Sequence, residues 1–138
     1  MGRVPRRRIG FVTCGEHRHF TPDDRLSVPL LAERGIEVAP VVWTEPLAED
    51  LDGLILRSTW DYHLKLPGFL AWLGAVEARG IPLWNHAATV RWNVDKAYLL
   101  EVERRGVPIV PTRHAPRGSG QPVSSSRVES RAPEPRGA

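Results

Sequence analysis

The 138-residue chain has one cysteine, one methionine and two lysines. A single Cys14 excludes an internal disulfide framework and any zinc site built from several cysteines. No apolar run approaches the ~20 residues that a membrane helix needs. The basic start, Met1 to Arg8, is followed only by the strand-length apolar stretch Ile9 to Val12, so no secretory signal is expected there. A cytoplasmic protein that does not engage a membrane is the resulting expectation. The first loop, Thr13-Cys14-Gly15-Glu16-His17-Arg18-His19, holds no GxGxxG, which speaks against a dinucleotide fingerprint. Nor do residues 9–112 contain a phosphate-cradling P-loop, a Ser-His-Asp arrangement or a paired-carboxylate site.

What is present is a globular composition, 41% hydrophobic and 25% charged, which excludes wholesale disorder. The net charge of +3 is unevenly divided. Residues 1–8 carry four arginines and no acid, and residues 113–138 carry five arginines against two glutamates. The stretch between them is mildly acidic and has no nucleic-acid footprint. Residues 113–138 also lack Leu, Ile, Met, Phe, Tyr and Trp, and 17 of those 26 residues are Ser, Pro, Gly or Arg. Such a segment cannot bury enough apolar surface to offset its ordering entropy, and a disordered tail is expected.

Between the two ends, short β-branched runs alternate with helical patterns. Strands are expected at Arg8–Thr13, Ile36–Trp43, Leu54–Arg57, Ile81–Trp84 and Val107–Val110. Pro40 marks the second as an edge or irregular strand. A first helix is expected to start near Ser27, with Pro29 in its first turn, and to end at Gly35. A second spans Pro67 to Arg79, with Phe69, Leu70, Trp72, Leu73 and Val76 on one face. A third spans Asn93 to Arg105. This order predicts an α/β fold, a small, mostly parallel sheet with helices on both faces. Ligands then bind outside the carboxyl ends of the strands.

The loop Ser58 to Tyr62 after the third strand, which with Arg57 reads Arg-Ser-Thr-Trp-Asp-Tyr, is the richest candidate site. Arg57 offers a planar donor fork for a carboxylate or phosphate. Ser58 and Thr59 add hydroxyls, Trp60 and Tyr62 add flat surfaces, and Asp61 is an acceptor or a local cap. The competing reading is that the aromatics cover the sheet end while Asp61 caps a turn. Glu16, His17 and His19 sit on one short loop without a fourth metal partner, so no metal site is expected. Asp23 and Asp24 most simply support a helix start, and Cys14 reads as a small buried or semi-buried thiol and not a nucleophile. Lys96, beside Asp95, is either a solvated surface lysine or a phosphate contact toward a helix N-terminus.

Taken together, RIGFVT, LLAERGIEVAPVVW, DGLILRSTWDY, IPLWN and RWNVDKAYLLEVERRGVPIVPT resemble the front of an ATP-grasp protein of the glutathione-synthetase-like group. The resemblance covers residues 8–112. It implies a basic extension at 1–7, a Rossmann-like pre-ATP-grasp domain at 8–92, and a helix and strand at 93–112 leading toward an ATP-binding domain. Members join a carboxylate to an amine through an acyl phosphate made from ATP, with magnesium. The resemblance places Arg57, Ser58, Thr59, Trp60 and Asp61 in a loop facing a small-molecule substrate, and Lys96 near the ATP phosphates. The family's glycine-rich lid, nucleotide-gripping lysines and magnesium carboxylates would follow Thr112, where this chain has its low-complexity tail. The expectation is a truncated or frame-shifted ligase piece, inactive alone and binding neither ATP nor magnesium strongly, with a homo-oligomer or a missing-domain chain as its possible partner. The alternative is a non-catalytic α/β module that binds a small molecule or a partner protein at its loop face, with Arg-rich ends that contact nucleic acid weakly and without sequence preference.

Overall fold

The computed structural model describes residues 7–112. The chain divides into two units, Met1–Tyr98 and Leu99–Ala138. The expectations for residues 1–6, and the disorder expected for 113–138, fall outside the described residues.

The first unit is built on four parallel strands, β1 (Arg7–Thr13), β2 (Ile36–Val42), β3 (Gly53–Ser58) and the two-residue β4 (Leu83–Trp84), in the order β2-β1-β3-β4. The α/β expectation therefore holds, and Pro40 sits on an edge strand, where its missing N–H costs no ladder bond on the open side. Side chains alternate across each strand. On one face, Val12, Val41 and Leu54 pack with Phe69, Trp72, Leu73 and Val76 of α2 (Leu66–Ala78) and with Ala87 of α3 (Ala87–Asn93). This cluster is the core. On the opposite face, Phe11 and Arg57 meet the segment around α1 (Pro22–Ala32). α2 ends as the sequence indicates, with Gly80 in the left-handed region at φ 63°.

Gly10 shows why β1 carries a glycine at its centre. A Cβ there would lie 2.6 Å from Leu54 Cδ2 and 2.7 Å from Val41 Cγ2. Arg8 closes the opposite end of the same strand. It pairs with Glu37 and Asp50, while its backbone N–H donates to Asp52 at 2.6 Å.

Three elements differ from the sequence reading. α1 starts at Pro22, five residues before Ser27, because Thr21-Pro22-Asp23-Asp24 is itself a helix-start signature. The Thr21 hydroxyl accepts the Asp24 N–H at 3.1 Å and Pro22 occupies the first turn. Pro29 consequently lies inside the helix. The single helix expected over 93–105 is interrupted: α3 stops at Asn93, residues 94–97 form turns, and α4 runs over Tyr98–Arg104. Asp95 promotes the break, since its carboxylate accepts the N–H of Ala97 two residues on, an Asx-type turn that competes with helix. In the second unit, the described residues after α4 form no strand at Val107–Val110. Pro108 lacks a donor for any ladder there.

Candidate functional site at the switch point of the sheet

β1 feeds β2 on one side, and the chain then returns across to β3 on the other. The carboxyl ends of β1 and β3 are therefore the topological switch point, where open parallel sheets leave a crevice. The candidate residues of the segment 57–62 lie here. The register slips by one residue between Val12 and Thr13, so that Thr13 pairs with Ser58. Both are about 2% exposed, and their hydroxyl oxygens lie 2.8 Å apart in a shared hydrogen bond. The Cys14 N–H donates to the Ser58 carbonyl at 3.0 Å and the Trp43 N–H to the Thr13 carbonyl at 3.1 Å, tying three strand exits together.

The segment from Arg57 to Tyr62 divides between the two readings that its sequence left open. Tyr62 belongs to the sheet cover, its ring 5.2 Å from that of Phe69. Asp61 is a structural acceptor: buried Trp43 donates its Nε1–H to Asp61 Oδ1 at 2.8 Å, and the carboxylate makes no side-chain cap bond. Trp60 faces outward, 61% exposed, with the His17 ring edge-on at 4.7 Å. Thr59 is half-buried and its carbonyl accepts the Tyr62 N–H at 3.1 Å. Ser58 is sealed in its bond to Thr13.

Arg57 is held from two directions. Its Nε donates to Asp24 Oδ1 at 2.7 Å, and its guanidinium carbon lies 5.5 Å from the centre of the Phe11 ring. Asp24 is the buried member of the pair, with its side chain 3% exposed against 42% for Arg57. Burial alone would raise the Asp24 carboxyl. The Thr21 hydroxyl, which donates to Oδ2 at 2.8 Å, and the Arg57 guanidinium outweigh it and hold the carboxyl below its usual range. The loop leading into this pair is strained at Phe20, whose φ is 67°. Its ring packs edge-on against Phe11 at 6.2 Å and its N–H donates to the His17 carbonyl at 2.9 Å, contacts that over-determine the bend.

Lys96 lies elsewhere, in the turn after α3 rather than in a helix. Its ammonium donates to the Asn93 carbonyl and Oδ1 at 3.2 and 3.0 Å and lies 5.5 Å from the Tyr98 ring centre. No contact among the described residues joins it to the β3 segment. Cys14 is buried, as its sequence context indicated. Among the described residues no group of three or more His, Cys, Asp and Glu could hold a metal ion, and no helix is long and apolar enough to cross a membrane.

Thr13, Thr21, Asp24, His17 and Trp43 also build the site, although the sequence did not single them out for it. Asp24 carried one available signal. It stands third after a Thr-Pro start, and an acid there has only the helix and whatever faces it to pair with.

Comparison with known proteins follows the same outline. The sequence model of the family described as the N-terminal domain of the D-cycloserine synthetase DcsG matches residues 9–85, more than half of the chain. The chain belongs to this family. The DcsG N-terminal domain match runs from Ile9 within β1 through β4, takes in the whole switch-point cluster and ends before Lys96. A crystal structure titled as that of D-cycloserine synthetase DcsG superposes with a TM-score of 0.62 at 27% identity. The match covers 75% of this chain and 35% of that one, so the chain spans about a third of the length of the solved synthetase. No curated protein matches the chain.

Proposed function

We propose that this chain supplies the N-terminal lobe of an ATP-dependent carboxylate–amine ligase of the D-cycloserine synthetase kind, within the ATP-grasp group that includes glutathione-synthetase-like enzymes. The carrying observation is that residues 9–85 match the DcsG N-terminal domain, with their polar and aromatic residues gathered at the switch point. In this reading Arg57, Ser58, Thr59, Trp60 and Asp61 form one wall of a substrate cleft. Arg57 and Trp60 meet the ligand, because they are the exposed members. Ser58 and Asp61 hold the wall's shape, because their polar atoms are already used within the fold.

The lobe binds and orients; it does not activate phosphate. Stabilising a transferring phosphoryl group requires metal and several cations around it. Among the described residues no group of three or more His, Cys, Asp and Glu is gathered, and the ammonium of Lys96 is directed at Asn93. ATP chemistry in this reading belongs to another domain, on this chain or a second one.

Two measurements test the reading. The 138-residue chain, incubated with ATP and magnesium, is expected to release no ADP above the blank; turnover abolished by Lys96→Ala would overturn it. Amide chemical-shift mapping with D-cycloserine is expected to perturb residues 57–61 and the end of β1. Perturbation confined to other surfaces would remove the cleft role.

A further inference from the structure

The Arg57–Asp24 pair has a feature that a purely structural ion pair does not need. Asp24 takes only the Nε–H of the guanidinium, while the guanidinium carbon lies over the Phe11 ring, 5.5 Å from its centre. The two terminal nitrogens make no hydrogen bond among the described residues, and the side chain is 42% exposed at the carboxyl end of β3. A long side chain normally loses rotamer freedom when it grips a ligand. Here the buried carboxylate, itself fixed by the Thr21 hydroxyl at 2.8 Å, has already removed that freedom.

We propose that Asp24 is a positioning residue for anion recognition: it fixes Arg57 so that the end-on pair of terminal nitrogens presents a planar, two-point fork to a ligand carboxylate. This rests on the reading of Arg57 as a cleft residue; it adds the second residue and chooses between the carboxylate and the phosphate that the Arg57 fork could take. A carboxylate fits better than a phosphate for a reason of charge. Asp24 already offsets the guanidinium, so the pair adds no net positive charge to the cleft. A dianionic phosphate calls for several cations, whereas a monoanionic carboxylate is satisfied by one planar edge with two parallel N–H bonds.

The test separates positioning from simple attraction, because the two predict opposite signs. Removing the negative charge in Asp24→Asn makes the site more cationic, so Coulomb attraction alone predicts tighter anion binding. Positioning predicts weaker binding, by about threefold or more in apparent Kd. The full chain is titrated with acetate at constant ionic strength, and the Arg57 Nε–H cross-peak, assigned through its loss in Arg57→Lys, is followed by NMR. The expected result is a saturable shift in the wild type, weakened in Asp24→Asn, with inorganic phosphate binding no more tightly than acetate. Equal or tighter acetate binding by Asp24→Asn overturns the positioning role, and tighter phosphate binding overturns the carboxylate class. Absence of any shift at Arg57 overturns the inference, while the D-cycloserine mapping still decides the cleft role separately. Should Asp24→Asn fail to fold, the wild type supplies the measurement. Rotation of the Arg57 guanidinium is expected to be hindered, and rotation as fast as in free arginine overturns the proposal.

Discussion

Phe69 is the residue on which the core and the candidate site depend together. It is 1% exposed and meets three rings: Trp43 edge-on at 5.3 Å, Tyr62 tilted at 5.2 Å and Trp72 stacked at 5.7 Å. Phe69→Ala removes the phenyl from a place that neighbouring large rings cannot collapse into. Lost transfer energy and the residual cavity together cost about 3–5 kcal/mol. A body of this size has roughly 5–15 kcal/mol in all. At about 4–8 °C per kcal/mol, the melting temperature should fall by roughly 12–40 °C. Urea unfolding followed by far-UV circular dichroism gives the free energy without relying on tryptophan fluorescence, which the substitution itself perturbs. The effect should also reach the cleft wall, since Trp43 and Tyr62 lose a shared neighbour; amide exchange at residues 59–62 should rise before global unfolding. A loss below about 1 kcal/mol would refute the assignment of Phe69 to the centre of the core.

Other outcomes follow from the same packing. Gly10→Ala forces a Cβ against fully buried Leu54 and buried Val41, and denaturant unfolding should show a loss of about 1–3 kcal/mol. Gly53→Ala is expected to cost less although its Cβ would meet the Trp84 ring, because that indole is 53% exposed and can swing away. Thr21→Ala removes the α1 cap and one donor to Asp24, and should cost about 1 kcal/mol in the same assay. The Asp24 carboxyl is held low in the folded state, so its stabilising contribution is complete above the unfolded value near ~3.9 and disappears as pH falls through the lower folded value. Thermal melts across that acidic window should fall more steeply for the wild type than for Asp24→Asn.

The α/β class, the strands β1 to β3 and the span of α2 were legible because each is a local pattern. RIGFVT and DGLILRS are short β-branched runs, and the apolar spacing of Phe69, Trp72, Leu73 and Val76 is helical. The start of α1 was missed because Ser27 and Pro29 imitate a helix start, while the true one at Thr21 lies behind a polar loop. The candidate segment 57–62 was legible as a site from its chemistry and its place after a strand. The division of labour within it was not. That Asp61 serves Trp43, that Ser58 serves Thr13 and that Arg57 answers to Asp24 are contacts across 18, 45 and 33 residues of chain. No spacing rule encodes such pairings, which arise only when the β1–β3 pairing brings distant loops to one edge.

The indole-to-carboxylate bond from Trp43 to Asp61 adds a side-chain tether to the segment carrying Trp60, beside the local turn bonds at Thr59 and Asp61, and none of these belongs to the strand ladder. Its mobility can therefore be tuned independently of the sheet. A ring without a donor, as in Trp43→Phe, releases the leash while leaving every strand pairing intact. Drift among homologous lobes at this one position could alter how quickly the wall yields to an incoming molecule without any change in the scaffold beneath it.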